Sequence, residues 1–248
     1  MPGLVALTHI LNTYLLGPEL WAYQSIAGLQ AAEAAENAVK VNSALAGELL
    51  VACGLIIFFL FVRLTLKVEM PNPAQQISEM IHEFSGSMAD QVIGHGYERF
   101  QAFVTCVLLF VLLNNLLGLI PGVDTPTAFP PVPLGVALLT FLYYNFHGVR
   151  VHGPLGYLKQ FVGPIWWIAP LLFLIEIISH LARIMSLTIR LYANMLASDL
   201  LTLVGFSMVP VVLPAAALGL HFVVSLIQAF VFMLLAMIYL SMAVSHEH

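Results

Sequence analysis

The sequence predicts an all-α polytopic membrane protein: five membrane-crossing helices plus one interfacial amphipathic helix, the last two crossings long and steeply tilted as a hairpin. Three observations carry this. Hydrophobic residues make up 60% of the chain and charged residues only 8%, against about 25% charged in soluble domains, so there is too little polar surface to coat a globule. Apolar runs of about 20 residues recur, the length that crosses a hydrocarbon core of about 30 Å as helix. Two further runs near the C-terminus are longer than an upright crossing needs.

Residues 1–43 read as an N-terminal extramembrane segment, and 44–248 as a single membrane domain. The opening "MPGLVALTHILNTYLLGPELW" has no basic n-region and no A-x-A site, and so is not expected to be a cleaved signal peptide. The first span, about 44–66, is "ALAGELLVACGLIIFFLFVRL" and its flank. Residues 72–93 are too polar to cross, but Ile77, Met80, Ile81, Phe84 and Met88 recur at helical spacing. That pattern predicts a helix lying along the interface. The second span, about 100–120, contains "FVTCVLLFVLLNNLLGLIPG". The Pro-rich "DTPTAFPPVP" then breaks the helix, and a third span covers about 131–147. Cys53 and Cys106 both lie in apolar runs, and read as buried or lipid-facing thiols, not a disulfide pair.

The last two spans, about 163–206 and 209–244, are unusual. Leu171 to Val204 contains neither Gly nor Pro, enough for about 51 Å of helix, and Ala215 to Val244 gives about 45 Å with one Gly. Splitting the first at "SHLARIMS" would leave Ile165 to Ile178 too short to span. Two inclined helices joined near "GFSMVPVVLP" fit better, with packing against a partner setting the tilt. An outside N-terminus puts Arg63, Lys67, Arg99, Arg150 and Lys159 on the inner side and leaves Lys40 outside. The C-terminus is then cytoplasmic.

Charge inside the membrane is the functional signal. An arginine at mid-membrane costs about 2.5 to 3.5 kcal/mol on insertion scales. The fourth span holds Arg183 and Arg190, with Glu176, Ser179, His180, Ser186, Asn194 and Asp199. Glu176, Arg183 and Arg190 recur every seven residues and form one stripe that drifts about 20° per step. Arg183 can be neutralised by Glu176, two turns away. Arg190 has no acid at i±3 or i±4, so its partner must come from another helix or another chain. Asp199, nine residues on, lies about 180° around the helix and about 13.5 Å along it. Two polar groups therefore flank a permanent positive charge that cannot relay protons. Toward the inside lie Glu176, Ser179 and His180; toward the outside lies Asp199, facing His221 and Gln228 of the last span. His221 is suited to proton relay. Asn114 and Asn115 read as helix–helix hydrogen-bonding residues.

Other chemistries lack their residues. "HEFSG" is not HExxH, His147 and His152 have no third ligand at metal spacing, and neither a nucleophile elbow nor a P-loop is present. No catalytic site, metal or cofactor is expected. A self-contained ion channel or secondary transporter is the alternative reading, but such folds are usually built from repeats and broken helices.

"EIISHLARIMSLTIRLYANMLASDLL", "HFVVSLIQAFVFMLLAMIYLSMA" and "NNLLGLIPG" together resemble subunit a of F-type ATP synthases, over roughly residues 44 to 244. The resemblance implies the proton-channel stator of a rotary ATP synthase, with two offset half-channels that load and unload carboxylates of a rotating c-ring. It implies that Arg190, within R-L-x-x-N with Asn194, faces that ring. It matches Asp199, His221 and Gln228 to the outer half-channel and Glu176, with Ser179 and His180, to the inner one. Ser186 and Arg183 would support them. The outer acid is commonly Glu in that family and is Asp199 here; a Pro common before the arginine is replaced by Met185. Implied partners are the c-ring proteolipids, peripheral-stalk b subunits and the rest of the complex, in an energy-transducing membrane such as the bacterial plasma membrane. The choice between proton and sodium would rest with the ring.

Overall fold

Among the described residues, the strongly apolar sequence folds into helices as its only regular structure. The computed structural model describes residues 43–67, 72–120, 123, 125–162, 169–208 and 212–244. The N-terminal segment, the start of the fourth span, Asp124 and the last four residues lie outside them.

Helix α1 runs Ser43–Leu64. Its exposed Leu50, Ile56, Ile57 and Leu60 suit hydrocarbon, where no polar coat is needed. Helix α2, Pro73–Ile93, starts where Pro73 fits the first turn. It buries Gln75, Ser85, Gly86 and Ala89 and leaves Ile77, Met80 and Phe84 exposed. An exposed apolar row on an otherwise polar helix is the pattern of a helix lying in an interface. Two polar ties fix α2 to helix α3, Glu98–Leu117: Ser85 and Thr105 share a 2.7 Å hydrogen bond, and Gln101 donates to the His82 carbonyl at 2.7 Å.

After α3 a single 3-10 turn, Pro126–Ala128, forms within the Pro-rich break. Helix α4, Pro131–Val162, follows and continues well past residue 147. It is two helical pieces joined at Gly153, whose φ of 72° is open to a residue without Cβ. Helix α5 spans Ala169–Met208 and α6 spans Val212–Val244. At 1.5 Å per residue they reach about 60 Å and about 50 Å, and neither fits upright within a core of about 30 Å. Among the described residues five helices, all except α2, are long and apolar enough to cross a membrane.

The core sits where α3, α5 and α6 meet. Val104 and Val111, Leu191 and Met195, and Ala229, Met233, Ala236 and Met237 are all fully buried there. Alanines on α6 let its neighbours approach closely, as small residues do at helix contacts in membranes. Phe103 stacks on Tyr143 at 3.7 Å between centroids and ties α4 to α3.

Candidate functional site

Helix α5 positions almost every charged side chain of interest, and it is the barest helix of the fold. Only 6% of its most apolar window is buried, against 56% for α3 and 44% for α6. One face, with Leu187, Leu191 and Met195, packs inward. The opposite face exposes Ala182, Met185, Ser186, Ile189, Ala193, Asn194 and Ala197. Small and apolar side chains there leave room for close approach by another helix.

Near the N-terminal half of α5 lies one ionisable group. His180 Nδ1 is 3.4 Å from Glu176 Oε1, and Arg183 Nη2 is 3.9 Å from the same oxygen. The Arg183 guanidinium also lies over the Tyr239 ring at 5.4 Å, within cation–π range. Phe141 and Tyr144 meet the His180 ring edge-on. Glu176 is the open end of this group, with 37% of its side chain exposed. Ser179, half-buried beside His180, is not drawn into it.

Arg190 stands apart. Its Nη2 donates to Ser186 Oγ at 3.3 Å, one turn back. Among the described residues no carboxylate lies within 4.0 Å of its guanidinium. One turn on, Asn194 Nδ2 donates to Gln228 Oε1 of α6 at 3.0 Å. Gln228 is therefore held level with the arginine region, not beside His221.

Toward the C-terminal end of α5 a second group forms from four elements. Asp199 Oδ1 is 3.5 Å from His221 Nδ1 of α6. His221 Nε2 is 3.0 Å from the backbone carbonyl of Asn115 on α3. A carbonyl only accepts, so Nε2 is the donor to Asn115, and Nδ1 is left to face the carboxylate. The pair is thus built to hold a proton between them. His221 is only 1% exposed, while 32% of the Asp199 side chain is open. Thr125 Oγ1, from the segment before the 3-10 turn, donates to Asp199 Oδ1 at 2.9 Å. Thr127 Oγ1 donates to Asn115 Oδ1 at 2.6 Å.

Gly118, the C-cap of α3, makes that arrangement possible. A Cβ there would lie 1.9 Å from Thr125 Oγ1 and 3.0 Å from His221 Cε1. The Thr125 side chain occupies the space that any other residue would need. Thr125, Thr127 and Gly118 are additions to the residues singled out from sequence, and Asn115, read there as a helix–helix contact, joins this group. The one available signal was their placement in or beside the helix-ending "GLIPG" and the Pro-rich break.

A helical membrane protein whose arginine, between two acid–histidine groups, has no carboxylate partner among the described residues belongs to the ion-translocating class. Residues 48–241 match the family model described as ATP synthase A chain. The chain is similar to ATP synthase subunit a of Koribacter versatilis, 47% identical over the whole of both chains. It is 41% identical to that of Solibacter usitatus, over 81% of this chain and 86% of the relative, and 41% identical to that of Bdellovibrio bacteriovorus, over 69% and 75%. The chain belongs to the ATP synthase A chain family.

Proposed function

We propose that this chain is the stator half of the proton channel of a rotary ATP synthase, working against a ring of carboxylate-bearing c subunits. The observation that carries the reading is Arg190: a guanidinium on the sparsely packed helix α5, with no carboxylate within 4.0 Å among the described residues. Mid-membrane charge is tolerated when it is paired or lines a wet path. A ring carboxylate docking on the Ser186–Asn194 face would supply that pair.

Protons enter from the outer side at Asp199, the open member of the C-terminal group, and pass to buried His221. They reach a ring carboxylate near Arg190 and Asn194. After rotation the carboxylate meets the Glu176–His180 group and releases its proton to the inner side. Arg190 keeps the two routes apart, because a guanidinium cannot be deprotonated. The N-terminus lies outside and the C-terminus in the cytoplasm of a bacterial plasma membrane, and peripheral-stalk b subunits hold the chain against the turning ring. The chain itself carries no catalytic site. A self-contained channel or transporter is disfavoured by Arg190, which has no carboxylate partner among the described residues.

Cysteine crosslinking in the assembled complex tests the interface. Ala193→Cys and Ala197→Cys, both exposed, should crosslink to a cysteine on the small ring subunit. Leu191→Cys and Met195→Cys, both fully buried, should not. Crosslinks from the buried pair alone would place the ring elsewhere.

A further inference from the structure

Two contacts fix the register of α5 against α6: Asp199 with His221, and Asn194 with Gln228. Between them the α6 axis advances about 10.5 Å and the α5 axis about 7.5 Å. A proton leaving His221 for the arginine region must cross that interval. The intervening residues are Phe222, Val223, Val224, Leu226 and Ile227 on α6 and Met195, Leu196 and Ala197 on α5, with two hydroxyls, Ser225 and Ser198.

Ser225 is the unusual one. It is fully buried, and its Oγ has no hydrogen-bond partner among the described residues. A buried hydroxyl without a partner costs stability, and replacing it by an apolar group of similar shape is neutral or stabilising. Packing therefore gives no reason for a serine here. Position does. Residues 221, 225 and 228 are spaced i, i+4, i+7 on the buried face of α6, so Ser225 lies about 6 Å beyond His221 and about 4.5 Å before Gln228. Each gap is of a length that one hydrogen-bonded water can bridge.

We propose that Ser225 is a relay residue of the outer route, its hydroxyl linking water between His221 and the Gln228–Asn194 pair. In each hop the hydroxyl oxygen takes a proton from the water on the His221 side as its own O–H proton leaves to the water beyond. Charge moves while the number of O–H bonds is unchanged. This rests on the reading of Asp199 and His221 as the outer route, and the test separates the two.

The test is potential-driven proton flux through the assembled complex in proteoliposomes, normalised to the amount of complex. Asp199→Asn checks the underlying reading and should abolish flux. Ser225→Ala should lower flux about tenfold, the effect of one lost hydrogen bond in the path, with assembly unchanged. Ser225→Cys, close in shape but a poor hydrogen bonder, should lower it similarly, and provides the reading if the alanine variant assembles badly. Ser225→Thr retains the hydroxyl and should stay within about twofold of the parent. Full flux in Ser225→Ala beside a dead Asp199→Asn overturns the relay and leaves the route standing. Equal losses in Ser225→Ala and Ser225→Thr make Ser225 a packing residue and also overturn it. Full flux in Asp199→Asn overturns the outer route itself.

Discussion

Replacing Gly118 by alanine tests whether the loop before the 3-10 turn controls Asp199. The new methyl would lie 1.9 Å from Thr125 Oγ1 and 3.0 Å from the His221 ring. The Thr125 oxygen must retreat by roughly 1 Å before the contact is tolerable, an overpacking that costs about 1 to 3 kcal/mol. Its hydrogen bond to Asp199 is 2.9 Å long, and such a shift carries it out of range. The expected result is reduced proton-driven ATP synthesis in inverted membrane vesicles. The double variant Gly118→Ala/Thr125→Ala removes the obstructing oxygen. It should restore the level of assembled complex, measured by native gel electrophoresis, without restoring synthesis. Synthesis at the parent rate in Gly118→Ala, or in the double variant, would refute the claim that Thr125 holds the carboxylate.

Asp199→Ala should impair coupled flux more than Asp199→Glu, because the longer acid still carries a proton toward His221; equal synthesis rates in the two would remove Asp199 from the path. Ala236→Leu forces a larger side chain into a fully buried position on α6. It should cost about 1 to 3 kcal/mol, read as a lower detergent-unfolding temperature of the complex, while Ala215→Leu, exposed on the same helix, should not.

The helices and the isolated arginine were legible in the sequence for physical reasons. Long runs without Gly or Pro can only be helix in a membrane, and the length of α5 and α6 exceeds the core thickness whatever their neighbours do. The stripe Glu176–Arg183–Arg190 follows from helical periodicity, and the Glu176–Arg183 pair realises it at 3.9 Å. Periodicity gives a face but no partner. His221 and Gln228 share a face, yet the first meets Asp199 and the second meets Asn194. Asn115 looked like a helix–helix contact. Its side chain instead accepts from Thr127, and its carbonyl accepts from His221. Neither is visible until the Pro-rich segment folds back over the end of α3. Thr125 was hidden for the same reason: a loop hydroxyl acquires its partner only through tertiary structure, here 74 residues away.

The central claim is that Arg190 divides two proton routes at a surface shared with a rotating ring. The most direct measurement is paired ATP synthesis and passive proton permeability in membranes carrying Arg190→Ala. The account predicts that synthesis is abolished and that passive leak through the membrane sector rises. Full coupled synthesis in that variant would contradict it.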